Sequence, residues 1–225
     1  MDNFRERVIA VLAKNSVLLL QAPKPISRDP ELLKEVVTKN PYVLEYIVPT
    51  TKKYKEIAMV AVQQDGMSLE YVPEEFRDYD LCMAAVVQQN GDALEYVPTD
   101  LPEYGKIAMA AVQKHYLAIQ WVPIELSDYD LYMVAVQQNG YALKYVPIEL
   151  RDYDLYMVAV RQNGDLLEYV PTDLPEYKEI AMAAVKQNVN ALRHVSPNMQ
   201  AEIKDALSKQ DELSRVKELM ERLLR

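Results

Sequence analysis

Carboxylates recur in pairs around a tyrosine, as Asp-Tyr-Asp at 78–80, 128–130 and 152–154. Two acids this close can act as a general acid and a general base. Each pair, however, stands at the start of a predicted helix, where the positive end of the helix dipole stabilises negative charge. We therefore expect these carboxylates to stabilise helix starts rather than to catalyse a reaction.

The other residues that could do chemistry are His115, His194 and Cys82. The histidines occupy different positions of a repeated unit, replacing Asn and Tyr, so they do not form a metal-binding pair. When the repeats are aligned on their glycines, Cys82 falls in the column of Ile57 and Leu131, which predicts a core side chain and not a nucleophile. We therefore expect no catalytic residue, no metal site and no cofactor, and predict that the protein is not an enzyme.

These residues are positioned by one unit of 24 or 25 residues that occurs eight times between residues 1 and 197. Its most regular phrase is close to Leu-Glu-Tyr-Val-Pro, as at 69–73, 94–98 and 167–171. A unit this short cannot bury its apolar face alone, so neighbouring units must stack. The pattern predicts an all-α solenoid, with degenerate units over 1–49 and clear units over 50–197.

Each unit is predicted to contain a helix of three turns, a glycine turn and a second helix of about six residues. Asn139-Gly140 alone is typical of a β-hairpin. Helix is favoured because the equivalent segment KEIAMAAVKQ at 178–187 consists largely of strong helix formers and does not alternate. Gly66, Gly91, Gly140 and Gly164 share one repeat position. We interpret them as helix C-caps that need a positive φ.

The chain has 225 residues, a formal charge of −9 and one cysteine. An acidic protein repels phosphates and anionic lipids, which disfavours nucleic-acid and membrane partners. A single cysteine fits a reducing compartment. No apolar run approaches the roughly 18 residues that span a bilayer, and we expect no signal peptide. The sequence thus predicts a cytoplasmic protein, or a protein of the host cytosol if it is a secreted effector.

Residues 198–225 lose the repeat pattern. Leu213, Val216, Met220, Leu223 and Leu224 nevertheless share one helical face. We expect 198–225 to form a helical cap that closes the solenoid, and expect a monomer. The alternative is a segment that binds a partner or self-associates through 210–225.

Residues that vary on a constant frame mark a candidate surface. The outer column stands three residues before the glycine position, and consists of Gln63, Gln88, Gln113, Gln137, Arg161 and Lys186. The inner column follows it, and consists of Gln64, Gln89, Lys114, Gln138, Gln162 and Gln187. We predict that the outer column, with Gln138 and Gln162, binds a protein partner. The alternative is a solvated helix end, where cations suit the dipole.

An aromatic column could instead stack bases, as single-strand binders do. It consists of Tyr46, Tyr71, Tyr96, Trp121, Tyr145 and Tyr169. Such binding needs a basic groove, whereas glutamates directly precede four of these rings, at Glu45, Glu70, Glu95 and Glu168. Packing between repeats is therefore the favoured interpretation.

The phrases MVAVQQNGYALKYVP (133–147) and MAAVVQQNGDALEYVPTDL (83–101) resemble the short tandem helical repeats of the family called domain of unknown function 4116, or DUF4116. The resemblance is strong over about 50–196 and weak over 1–49. It implies a helical repeat fold and a role in host interaction, since such repeats occur in candidate secreted effectors. It implies no reaction.

Taken with the missing catalytic pattern, the repeats predict a non-enzymatic scaffold or adaptor that binds a protein partner along the solenoid surface. One alternative is an unrecognised enzyme, or the targeting domain of one. An RNA-binding repeat array is less favoured.

Overall fold

The computed structural model describes residues 2–88 and 91–209, with side chains from residue 4 onwards, and neither range contains a β-strand. One long helix opens each repeat. These helices are α1 (Asp2–Lys14), α3 (Pro30–Lys39), α4 (Tyr54–Gln64), α5 (Tyr79–Gln88), α6 (Tyr104–Lys114), α7 (Tyr129–Gln138), α8 (Tyr153–Gln162) and α9 (Tyr177–Gln187). The short α2 (Lys24–Ser27) precedes α3, and a further helix, α10, covers 197–209.

The second element of every repeat is a 3₁₀ helix. These elements are Ser16–Gln21, Pro41–Tyr46, Gly66–Tyr71, Asp92–Tyr96, Tyr116–Trp121, Gly140–Tyr145, Gly164–Tyr169 and Val189–His194. An Asn or Asp just before the 3₁₀ helix favours it, because its side chain accepts a hydrogen bond from the backbone two residues on. Asn139 Oδ1 accepts from Tyr141 N at 3.0 Å, and Asp65 Oδ1 from Met67 N at 3.0 Å. The predicted second helix is therefore present, in the tighter 3₁₀ form.

The chain forms two compact units, Met1–Leu131 and Tyr132–Arg225, and the boundary falls within the first turn of α7. In the N-terminal unit, α3 packs between α1 and α4, and α5 between α4 and α6. In the C-terminal unit, α8 packs against α9. Within each unit, these helices thus lie against the next in chain order. The prediction of an all-α solenoid of tandem repeats is confirmed.

The buried residues of the core recur at equivalent positions of successive repeats. One buried column holds the aliphatic side chain two turns before the end of each helix from α4 to α9, and consists of Ile57, Leu81, Ile107, Leu131, Leu155 and Ile180. Leu81 takes this place, so the alignment of Cys82 with Ile57 is wrong. Cys82 is fully buried beside it, in the column of Ala58 and Tyr156. The shift arises because one extra residue precedes Gly91.

Two kinds of helix start occur along the chain. In one kind, the first aspartate of Asp-Tyr-Asp caps the helix, since Asp128 Oδ1 accepts from Leu131 N at 2.8 Å. In the other, a buried tyrosine starts the helix, and Tyr104 Oη donates to Trp121 O at 3.3 Å. Both arrangements satisfy polar groups at helix ends, which would otherwise lack partners.

The prediction that the glycines are helix C-caps with a positive φ is wrong for three of the four. Only Gly91 has a positive φ, 93°, among the described glycines. Gly66, Gly140 and Gly164 begin the 3₁₀ helices instead. Crowding explains two of them. A Cβ on Gly140 would lie 2.7 Å from Leu166 Cδ1 and 3.0 Å from Ala159 O, and one on Gly164 would overlap Ala184 O.

Helix α10 continues the stacking at the C-terminal end of the described chain. Ile203 is fully buried, Gln200 Nε2 donates to Val195 O at 3.0 Å, and Lys178 Nζ lies 2.5 Å from Glu202 Oε1. The cap over 198–225 stays a prediction, and its part at 210–225 lies outside the described residues. Within 2–88 and 91–209, no helix has the length and apolar character needed to cross a membrane.

Candidate functional site

Two glutamines of the inner column, Gln162 and Gln187, each join their repeat to the one before it. In the C-terminal unit, Gln162 Nε2 donates to Val136 O at 2.7 Å and to Gln137 O at 3.0 Å, while its Oε1 accepts from Gly140 N at 2.8 Å. Gln162 therefore donates hydrogen bonds to carbonyls at the end of α7 that have no partner within the helix. Its amide is occupied by the fold.

Gln187 makes the same kind of link one repeat later. Its Oε1 accepts from Gly164 N at 2.7 Å, and its Nε2 donates to Gln162 O at 3.1 Å. The phrase Gln-Asn-Gly is thus a connector: the glutamine bonds the preceding repeat, the asparagine caps the 3₁₀ helix, and the glycine leaves room for the following repeat.

The outer column points into solvent. Gln63, Gln113, Gln137, Arg161 and Lys186 are all exposed. In the described part of the chain none of these side chains forms a hydrogen bond or an ion pair. Gln88 was misplaced in this column. It is the last residue of α5, as Gln138 is of α7, so it belongs to the inner column, and the exposed Val87 takes the outer place.

A row of apolar side chains runs beside the outer column on the same helices. It contains the methionines Met59, Met83, Met109, Met133, Met157 and Met182, of which all but Met157 are half-buried. The residue after each methionine is also half-buried, and is Val or Ala throughout, as at Val60 and Ala84. The predicted packing of these methionines between repeats therefore leaves part of every side chain except that of Met157 accessible.

In the N-terminal unit, two members of this row, Met59 and Val60, line a groove of about 400 Å³ across α3, α4 and α5. Met59 and Val60 contribute its apolar surface, and Lys34, Lys55 and Asp80 line its sides. Exposed methionine adapts to partners of different shape, because its unbranched side chain has three rotatable bonds. The groove thus offers an apolar site edged by charge.

The charged groups at this groove are paired across helices. Lys34 Nζ lies 2.5 Å from Glu56 Oε2, and this hydrogen bond raises the pKa of Lys34 and lowers the pKa of Glu56. Lys55 pairs with Asp78 in the same way. Both groups of each pair stay charged at neutral pH. Because the pairs are solvent-exposed, they contribute little to stability and remain available to a partner.

The candidate catalytic residues do not come together. Asp78, Asp128 and Asp152 cap helices, as the sequence predicts. The Cys82 thiol is buried, which raises its pKa to about 12 and keeps it protonated. His115 Nδ1 is buried and forms no hydrogen bond in the described structure, whereas His194 Nε2 accepts from Arg193 Nε at 2.9 Å. No group of three His, Cys, Asp or Glu side chains suited to a metal ion occurs within 2–88 and 91–209.

The aromatic column lies on the 3₁₀ helices and is only partly exposed, with Trp121 at 37%. No two of its rings stack in the portion described. Tyr71 instead meets Tyr42 edge-on, with ring centroids 6.2 Å apart. Tyr145 lies under Lys144, whose Nζ is 4.7 Å from the ring centroid. Two rings of the column, those of Tyr71 and Tyr145, are thus in contact with side chains of the protein itself.

Sequence reasoning missed one structural residue, Arg77. Its guanidinium donates to three carbonyls, at Val72 O (2.6 Å), Tyr96 O (2.8 Å) and Glu70 O (3.1 Å). Arg151 Nε bonds Val146 O at 2.9 Å in the same place. The sequence signal for this role is that an arginine directly precedes Asp-Tyr-Asp in two repeats.

The comparisons agree with the repeat architecture. The family model described as "Domain of unknown function (DUF4116)" matches residues 54–101, 106–151 and 152–200. Each matched segment spans two of the repeats described above. No match was found among curated proteins or among solved structures. Since the matched segments cover more than half of its length, the chain belongs to the DUF4116 family.

Proposed function

We propose that this protein is a non-enzymatic scaffold that binds a protein partner along the exposed face of its long helices. The observation that carries the proposal is a difference between the two columns in the contacts that their side chains make. In the C-terminal unit, Gln162 and Gln187 of the inner column are bonded to backbone atoms of the preceding repeat. The outer column, as at Gln137 and Arg161, is exposed and makes no hydrogen bond or ion pair in the described chain.

The chemistry of this face fits a protein partner. Apolar Met and Val side chains lie beside amide and cationic ones, as in Met133, Val134 and Gln137 of α7 and in Met182 and Lys186 of α9. Interfaces typically combine an apolar centre with polar groups that give specificity. The methionines supply contact area, and the varied outer column selects the partner.

The test is capture of partners from host-cell and bacterial lysates on the immobilised full-length chain, followed by affinity measurement with each purified candidate. The variant Gln137→Ala/Arg161→Ala/Lys186→Ala is expected to weaken binding roughly 10-fold or more. The matched control, Glu149→Ala/Glu168→Ala/Asn190→Ala, changes three exposed residues away from the long helices. It should bind normally.

Equal binding by both triple variants would refute a partner site on the outer column. Capture of RNA rather than protein, sensitive to the same outer-column variant, would favour the RNA-binding alternative.

A further inference from the structure

An apolar groove lies along α1 at the start of the N-terminal unit. It has a volume of about 460 Å³ and is lined by Phe4, Val8, Val11, Leu18 and Ile26, among others. Phe4 is 72% exposed and Val11 is 53% exposed. Large apolar side chains this accessible, gathered in one concave place, mark a surface that binds another apolar surface.

Val11 stands in a repeat position that is buried elsewhere. Its carbonyl accepts from Asn15 N at 2.9 Å, as Val36 O accepts from Asn40 N and Ala184 O from Asn188 N. This backbone bond defines the position in six further repeats. The side chains there, all fully buried, are Val36, Ala61, Ala111, Ala135, Ala159 and Ala184.

In later repeats this position is covered by the repeat before it. In the C-terminal unit, Ala159 and Ala184 lie against Gly140 and Gly164 of the repeat before them. The exposed face of α1 is therefore a repeat-stacking face that the described chain leaves uncovered. An occupant must present apolar side chains to this face.

The chain carries an apolar stripe at 211–225, beyond the described residues, where Leu213, Val216, Met220, Leu223 and Leu224 recur at helical spacing. As a helix these residues would extend about 22 Å, close to the length of the 13-residue α1. We propose that 211–225 of one copy docks into the α1 groove of a second copy, so that the protein self-associates head to tail. A second copy can supply the segment whatever the arrangement of the two units within one chain.

The test is sedimentation velocity of the full-length chain over a wide concentration range. The wild type should shift to dimers and longer species as concentration rises, because a head-to-tail contact leaves one free end of each kind. Val11→Glu, in the groove, and Val216→Glu/Met220→Glu, in the segment, should each weaken association roughly 10- to 100-fold. Val189→Glu, at a valine that is 70% exposed, is the matched control and should associate as the wild type does.

Mixing the two kinds of variant gives the decisive result. Each retains one intact surface, so the mixture should form a discrete one-to-one dimer and nothing longer. Circular dichroism checks that each variant folds, which Val11→Glu should do because Val11 is half-exposed. A wild type that stays monomeric at every concentration, or a Val11→Glu variant that associates normally, would overturn the proposal. Loss of thermal stability without change in mass for Val216→Glu/Met220→Glu would also overturn it, since it would show that the segment caps its own chain.

Discussion

The side chain of Gln187 accepts a hydrogen bond from the backbone N–H of Gly164, with 2.7 Å between Gly164 N and Gln187 Oε1. The bond crosses from one repeat to the next, and Gln162 makes the equivalent bond to Gly140 N. Because the amide also donates to carbonyls of the preceding repeat, one side chain satisfies both a donor and an acceptor at the junction. Substitution of either the glutamine or the glycine at such a junction should therefore lower the stability of the fold.

Gln162→Ala should lower the free energy of unfolding by about 1–2 kcal/mol, because it leaves Gly140 N–H and two carbonyls without a protein partner. Urea denaturation monitored by circular dichroism measures the change. Gln137→Ala is the matched control, since that exposed side chain makes no hydrogen bond in the described structure, and it should cost less than about 0.5 kcal/mol. Equal losses in the two variants would contradict a junction role for Gln162.

Gly164→Ala should destabilise the C-terminal unit by about 2 kcal/mol or more, because the added methyl overlaps the carbonyl oxygen of Ala184. Gly105→Ala provides the comparison within α6. A Cβ there meets nothing within 4 Å, so the change should be neutral or stabilise the helix by up to about 1 kcal/mol. Thermal melting of both variants tests the pair. A Gly164→Ala protein that melts with the wild type would show that the close approach is absent.

Arg77→Lys should cost about 1–3 kcal/mol although the charge is kept, because an ammonium group cannot reach the three carbonyls that the planar guanidinium bonds. Arg161→Lys, at an exposed position, should leave stability unchanged. Denaturant midpoints decide between these outcomes. If Arg77→Lys matched Arg161→Lys, charge alone would explain the role of Arg77.

The Cys82 thiol should resist modification in the folded protein. Burial raises its pKa to about 12, so the reactive thiolate is scarce at pH 8, and the sulfur is also inaccessible. Release of thionitrobenzoate from a disulfide reagent measures the rate, which should rise sharply when urea unfolds the chain. Reaction at the unfolded rate in native buffer would place Cys82 at an accessible site.

Stability should fall in alkali. Burial raises the pKa of Tyr54 and Tyr104 to about 12, above the value of about 10 in unfolded chains. A group whose pKa is higher in the folded state stabilises the fold fully below the unfolded pKa, and this contribution is lost as pH rises from about 10 towards 12. Urea midpoints measured across this range should decline, and Tyr104→Phe should make the decline shallower. A flat profile for the wild type would rule out buried, protonated phenols.

Much of the fold follows from the sequence, because the repeat spacing and the apolar columns are both local patterns. The glycine alignment failed at one point. The stretch from Val86 to Gly91 has one residue more than the stretch from Val136 to Gly140, which displaced Cys82 and Gln88 from their true columns. The role of Gln162 was hidden for a different reason. Its partners are Gly140 N–H and the carbonyls of Val136 and Gln137. Because nearly every residue carries these backbone groups, the contact cannot be predicted from residue types.

That dependence on backbone partners bears on how such an array can evolve. A junction between repeats that bonds only backbone N–H and C=O groups is compatible with almost any side chains in the adjoining repeat. The position that faces the junction must stay small, as Gly140 and Gly164 are. Unequal recombination can then insert or remove blocks without rebuilding each seam. The near-identical stretches at 99–112 and 172–185 have the form that such a copying event leaves. Lineages could thus change the length of the binding face faster than they change its framework.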